Sequence, residues 1–258
     1  MTDGPIRIAV LGPEGRMGAA LCTLVAADRG LVLVARVQPP EVAGLHLDAL
    51  DAATVDVLID FTHREAVADH AAWATRHRVA WVLGTTGLTP ADQALVDAAA
   101  QATVVFQASN FSLGVALLAD LAARAARVLG LQADVEILET HHHSKRDAPS
   151  GTAVTLGRAV AEARGQQLEA VQQDGRTGPC GARPAGEIGF HAIRLADVVG
   201  EHEVWFGWPG ERLKLSHDAR DRSVFAHGAL RAARFAAERR RLGQLGRFGM
   251  AELVLVAG

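Results

Sequence analysis

Apolar runs of four to seven residues alternate with helical patterns through the first hundred positions. A glycine-rich turn follows the first run, and from residue 188 onward strands follow one another without intervening helices. These three observations predict an α/β fold. The first part should be an N-terminal Rossmann-type unit on a parallel sheet covered on both faces. A smaller α+β unit with a mixed sheet should follow.

The elements can be justified in order. IRIAVLG (6–12) is a short strand ending in glycine, and the helix after it sets Met17, Leu21, Leu24 and Val25 on one face. LVLVARV (31–37), VDVLIDF (55–61), VAWVLG (79–84) and TVVF (103–106) supply four more strands, with helical spacing over 64–77. In TPADQALVDAAA, Thr89 suits an N-cap, Pro90 the first helical position and Asp92 the return partner of a capping box. After SNFSLGV an alanine-rich helix runs to about Val128 and VEILETHH forms a strand. Thr152 to Arg164 is helical and stops at Gly165. The segment 173–189 is rich in glycine and proline and reads as a loop. IGFHAIRL, HEVWFGW and RLKLSHDA are strands, Val224 to Arg240 is an amphipathic helix, and MAELVLVAG (250–258) is an apolar tail. The expected units are 1–112 with 223–258, and 113–222.

Composition excludes several classes. The chain has 258 residues and a formal net charge of −3, so no basic excess points to nucleic acid. No apolar run is long enough to span a membrane. Cys22 and Cys180 stand in no CxxC or Cys/His spacing, against a disulfide framework or structural zinc. MTDGPIRIAVLG reads as a first strand and not a signal peptide, so the expected location is the cytoplasm.

The turn GPEGRMG (12–18) joins the first strand to the first helix. Such a turn needs small residues, because backbone must approach a pyrophosphate that the helix N-terminus then attracts. Gly12, Gly15 and Gly18 give a G-x-x-G-x-x-G spacing in place of G-x-G-x-x-G. Glu14 must point away from a phosphate. The acid that usually closes the second strand and holds the adenosine ribose is missing, since that strand ends Val37-Gln38-Pro39. Arg16 or Arg36 could meet a 2′-phosphate, so the cofactor is read as NADPH or NADH, with a lean to NADPH or dual use. GTTG (84–87) and SNFS (109–112) follow strands four and five, at the carboxyl ends where open α/β sheets bind ligands.

ETHHHSKRDAPSGTA (139–153) sets His141, His142 and His143 in a row. Adjacent histidines on a strand point to opposite faces and cannot easily converge on one ion, so no metal is expected. Acid/base work suits them better, since histidine titrates near neutrality. Lys145 can deliver a proton or hold an anion. Ser150 can cap the following helix, where Gly151 and Thr152 offer N–H groups to a carboxylate. The plain alternative is a polar loop before a well-capped helix.

GxxGRMG, DFT, GTTG, SNFSLGV, ETHHHSKRDAPSGTA, GEIGFHAIR, VGEHEVWF and SHDARDRSVFAHGAL occur in this order over nearly the whole chain. The sequence thereby resembles the 4-hydroxy-tetrahydrodipicolinate reductase (dihydrodipicolinate reductase) family of lysine and diaminopimelate biosynthesis. The resemblance implies reduction of a cyclic dicarboxylate by NADPH or NADH, with net loss of water. It implies His141 and Lys145 as the catalytic pair and His142, Gly151 and Thr152 as substrate-binding. The nucleotide would be held by Gly12, Pro13, Glu14, Gly15, Arg16 and Met17, by Gly84, Thr85 and Thr86, and by Ser109, Asn110, Phe111 and Ser112. No role carries over to His143. The family is usually tetrameric, so a homotetramer is expected.

Four departures stand out: Gln38 in place of an acid, RLAD (194–197) where Arg-Gly-Gly-Asp is expected, a short link between strands two and three, and no tyrosine. Two other readings compete, a homoserine- or aspartate-type dehydrogenase and a non-catalytic nucleotide-binding relative. The intact histidine loop argues against both.

Overall fold

The structure is a computed structural model describing residues 4–256; residues 1–3 and 257–258, the outermost parts of the expected nucleotide domain, lie outside the described residues. The chain divides into two compact units, Met1–Leu113 with Ser223–Gly258, and Gly114–Arg222. The first begins with β1 (Ile6–Leu11), α1 (Arg16–Ala27), β2 (Leu31–Val37), β3 (Val57–Asp60), α2 (Val67–His77), β4 (Ala80–Leu83), α3 (Pro90–Ala100) and β5 (Val104–Gln107). Next come α4 (Leu113–Leu129), β6 (Asp134–His141), α5 (Gly151–Ala163), α6 (Leu168–Val171), β7 (Gln172–Asp174), β8 (Ile188–Arg194), β9 (Gly200–Trp208) and β10 (Glu211–Ala219). The chain returns to the first unit as α7 (Ser223–Arg241), β11 (Gly246–Phe248) and α8 (Met250–Val256).

The first unit is a six-stranded sheet in the order β11-β5-β4-β3-β1-β2, with every pairing parallel. β3 and β4 are buried at every position, as expected of strands covered on both faces. One face packs Leu58, Trp81, Leu83 and Val105 against Val67, Ala71 and Trp73 of α2 and Val96 of α3. α1 and α7 lie side by side, and α7 packs on β3, β4 and β5, where Phe235 meets Phe106 edge-on. Strand order reverses between β1 and β3, which makes the ends of these strands the point where such sheets take ligands.

The second unit is a mixed sheet in the order β10-β9-β6-β8-β7, in which β6 runs parallel to β8 and antiparallel to β9. Alternate residues Val135 and Ile137, with Val204 and Phe206, point into a core closed by Leu118 and Ala122 of α4 and by Leu156 and Val160 of α5.

The Thr89 capping box forms in full. The helix read over 64–77 starts as a 3-10 turn, Arg64–Ala66, before α2 proper. The link between β2 and β3 contains only two 3-10 turns, Leu47–Ala49 and Ala52–Thr54. Four elements differ from the sequence reading, the first being the single-turn α6. β7 reaches into the stretch read as loop, β11 adds a strand beyond β5, and α8 forms in the apolar tail. The two strands are three residues long, too short to show a period; their pairing to β8 and β5 makes them strands.

Candidate active site

The glycine turn is pinned to the tip of β2, because Gly12 N–H donates to Val37 O at 2.9 Å. Gly12 has φ +63°, a turn that favours glycine. A Cβ on Gly18 would lie 2.1 Å from Gly12 O and 2.8 Å from Pro13 Cα, so α1 can press on the turn only with glycine there. Gly15, at the N-cap, leaves the first N–H groups of α1 without a covering side chain. The close turn and the open helix start are the features that a dinucleotide pyrophosphate needs. Glu14 does point away from the helix start: it pairs with Arg36 of β2 at 3.1 Å and accepts from Gln38 Nε2 at 3.3 Å.

Opposite β1, the end of β3 carries Asp60, Phe61 and Thr62. A Cβ on Gly12 would come 3.1 Å from Thr62 Cγ2, so the two loops meet at the reversal point. Asp60 is fully buried and gathers Thr62 N–H (3.0 Å), Thr62 hydroxyl (2.6 Å), Trp81 indole N–H (3.3 Å), His70 Nδ1 (2.8 Å) and Thr85 hydroxyl (3.4 Å). Burial alone would push its carboxyl up; His70 and the Thr62 bonds outweigh this and hold it below the usual range. Gly84 N–H donates to Asp60 O at 2.8 Å, and a side chain at Gly84 would strike the Phe61 ring. Thr85 is buried, with Thr86 beside it. After β5, Asn110 Oδ1 accepts from Ser112 N–H at 2.8 Å, following Ser109. The Phe111 ring is buried against Phe61 (5.0 Å) and Phe106 (6.0 Å), so this residue shapes the 109–112 loop from inside.

In the second unit β6 ends at His141. Glu139, two residues back on the same face, is 1% exposed and its carboxylate meets His141 Nδ1. Arg194 at the end of β8, the register partner of His141, grips Glu139 with both terminal nitrogens at 2.9 and 3.0 Å. Ser150 N–H adds a fourth bond at 3.1 Å. Burial pushes the Glu139 carboxyl up, but Arg194 and His141 prevail and keep it low. An ionised Glu139 only accepts, so the proton of a neutral His141 sits on Nδ1 and Nε2 carries the lone pair. Burial, helped by the Lys145 and Arg194 charges, lowers the His141 pKa against the pull of Glu139, which keeps the ring neutral near pH 7. A Cβ at Gly200 would come 3.1 Å from that Nε2; glycine leaves the ring edge clear.

His202 of β9 is buried edge-on to His141, at 5.1 Å between ring centroids, with Nε2 3.1 Å from Ser150 Oγ. Its pKa falls to about 3, chiefly by desolvation. Ser150 caps α5 by accepting from Ala153 N–H, which sets Gly151 and Thr152 in the first turn. Lys145 Nζ is held between both Asp147 oxygens at 2.8 Å each. His142 Nδ1 faces Ser144 Oγ at 2.8 Å, and His143 Nδ1 donates to Ala196 O at 2.8 Å. His143 therefore fastens the 141–145 segment to the loop after β8. Ala196 holds φ +44°, in the left-handed region, at the RLAD departure where glycine is expected.

The structure thus brings His141, His142, Lys145, Gly151 and Thr152 into one stretch between β6 and α5. The residues missed from sequence are Asp60, Glu139, Arg194 and His202. Asp60 and Arg194 lie in stretches already singled out, DFT and RLAD, and Glu139 carried a signal of its own, an acid two strand positions before a histidine. Among the described residues no group of three or more His, Cys, Asp or Glu side chains is placed to hold a metal ion, and no helix is long and apolar enough to cross a membrane.

A parallel sheet with a glycine cradle at its reversal point, joined to a unit with a buried Glu–His pair beside a lysine, defines a nucleotide-dependent oxidoreductase. Two family models match in succession: residues 6–111 match "Dihydrodipicolinate reductase, N-terminus" and 114–254, which takes in the returning α7 and β11, match "Dihydrodipicolinate reductase, C-terminus". The chain belongs to the dihydrodipicolinate reductase family. A 4-hydroxy-tetrahydrodipicolinate reductase of Roseobacter denitrificans is 43% identical over 253 residues, covering 91% of this chain and 93% of that one. One of Methylocella silvestris is 44% identical over 248 residues, covering 89% and 91%. Among solved structures, a dipicolinate-bound dihydrodipicolinate reductase from Paenisporosarcina sp. TG-14 matches with a TM-score of 0.75 at 26% identity, covering 95% of this chain and 97% of that one.

Proposed function

We propose that this protein converts 4-hydroxy-tetrahydrodipicolinate to tetrahydrodipicolinate, the 4-hydroxyl leaving with a proton as water and one hydride and one proton adding to the ring, with His141 and Lys145 as its catalytic pair. Bound NADPH or NADH supplies the hydride. The first unit holds the nucleotide through the Gly12–Met17 turn, Gly84–Thr86 and Ser109–Ser112. The second, over 113–222, takes the cyclic dicarboxylate, with His142 and the Gly151–Thr152 helix start on its carboxylates.

The observation that carries the reading of roles is the Glu139–His141 pair. It fixes the ring so that Nδ1 is occupied and Nε2 can only accept. His141 then orients substrate or receives a hydrogen bond, and the proton that must follow hydride to the ring comes from Lys145 Nζ. Substrate carboxylate would displace Asp147 as the partner of that ammonium. A positioned general acid is worth ~10²–10⁴-fold. The same reading includes a homotetramer and a cytoplasmic location, supported by the family's habit and by the biosynthetic relatives.

The test couples a synthase to this protein and follows loss of NADH or NADPH absorbance. Turnover should need the synthase product, and Lys145→Ala should cut kcat about a hundredfold or more while nucleotide affinity stays within about twofold. Equal turnover of the variant would remove the role assignment; no oxidation of either cofactor would remove the activity.

A further inference from the structure

We infer that Glu14, reaching from the glycine turn to the tip of β2, supplies the ribose-binding acid that β2 lacks and selects NADH over NADPH. The inference rests on the proposed nucleotide site and narrows it.

Dinucleotide-binding sheets usually end the second strand with an acid that accepts from the ribose hydroxyls and repels a 2′-phosphate. Here the strand tip carries Arg36, Val37 and Gln38. Two cationic or donor side chains without an acid would favour NADPH, and the sequence leans that way. The structure redirects them. The backbone bond from Gly12 N–H to Val37 O clamps the turn onto the strand tip. Two residues on, Glu14 reaches both side chains: Arg36 Nη2 donates to Glu14 Oε1 at 3.1 Å, and Gln38 Nε2 donates to the same oxygen at 3.3 Å. Gln38 is itself held, since its backbone N–H donates to Leu45 O at 2.8 Å and its side chain packs by Gly44.

Two consequences follow. The Arg36 guanidinium, one of the two cations the sequence offers a 2′-phosphate, is already paired with a carboxylate. Both bonds also land on Oε1, which leaves Oε2 as an acceptor for ribose hydroxyls. A carboxylate in that position attracts a diol and repels a phosphate dianion. An exposed ion pair contributes little to folding, so its removal should leave stability intact and isolate the recognition effect.

The experiment titrates the full-length protein with NADH and with NADPH by nucleotide fluorescence, with melting temperature as a folding control. Wild type should bind NADH about tenfold more tightly, the factor that ~1.4 kcal/mol represents. Glu14→Gln should tighten NADPH about tenfold and weaken NADH several-fold, a reversal of preference. Adding Arg36→Ala to Glu14→Gln should abolish the gain for NADPH. Wild-type preference for NADPH, or Glu14→Gln changing both affinities by the same factor, would overturn the inference. Binding of neither nucleotide by the wild type would overturn the reading of the site beneath it.

Discussion

Glu139 and Arg194 form a two-pronged ion pair across neighbouring strands, at 2.9 and 3.0 Å, and it is this pair that presents a charged oxygen to His141. Glu139→Gln keeps the size of the side chain but offers Nδ1 an amide that can donate as well as accept. The His141 tautomer would then no longer be fixed. kcat should fall at least about tenfold, up to the ~10⁴-fold seen where a carboxylate that fixes a catalytic histidine's tautomer is made an amide. Nucleotide affinity should hold, because the pair lies wholly in the second unit. Steady-state kinetics beside an NADH titration separates the two effects.

The buried imidazoles make folding acid-sensitive in a window of their own. His202 titrates at about 3 when folded and near 6.5 when unfolded, so between these values the unfolded chain binds the extra proton. Stability is therefore full above about 6.5 and drops as pH falls, by up to roughly 1.4 kcal/mol per pH unit for this group. His141 is shifted in the same direction. The lowered carboxylates Asp60 and Glu139 add their loss only below their ordinary range near 4. Thermal melts from pH 7 to 4.5 should slope downward in the wild type and less so in His202→Gln, whose amide can still reach Ser150. Parallel slopes would show that His202 is not the source.

Ala196 occupies a left-handed conformation, φ +44°, and its carbonyl accepts from both the backbone and the ring of His143. An L-residue there costs roughly 1–2 kcal/mol, partly offset by the unfolded-state freedom that glycine brings. Ala196→Gly should stabilise the protein by about 0.5–1 kcal/mol, a rise of roughly 1–4 °C in Tm for a chain of this size. An unchanged or lower Tm would mean that the loop carries no strain at this position.

The sequence makes the alternation of β1 to β5 with α1 to α3 legible because every strand is a short apolar run and α1 and α3 start on a glycine and a capping threonine. Thr89, Pro90 and Asp92 form the box their spacing predicts. The histidine segment is legible as chemistry for a similar reason: it is polar where a strand meets a helix. What stays hidden depends on register. Arg194 lies 55 residues from Glu139 and meets it only because β8 pairs in parallel with β6, setting His141 against Arg194. His202 looks like any histidine on a strand until β9 pairs on the other side of β6. Glu14 reads as an awkward charge in a phosphate turn until the bond from Gly12 to Val37 shows where it is carried.

Asp60 tests whether the nucleotide loops are held from below. Its carboxylate is fully buried and binds side chains from β4, α2 and the loops after β3 and β4. Asp60→Ala leaves His70, Trp81 and Thr85 without their shared acceptor, a loss of about 3–5 kcal/mol where a buried charged partner is removed. Asp60→Asn keeps one acceptor oxygen, so the fold should survive at a smaller cost while the geometry of Thr62 and Thr85 loosens. If the cluster only stabilises the fold, nucleotide affinity measured well below the melting temperature should match wild type once Asp60→Asn is folded. If it also shapes the site, NADH and NADPH should weaken together by about three- to tenfold, with no change in the preference between them. That pattern differs from the one expected at Glu14, where the two affinities move in opposite directions, so titrations of both variants distinguish a residue that supports the loops from one that chooses the cofactor.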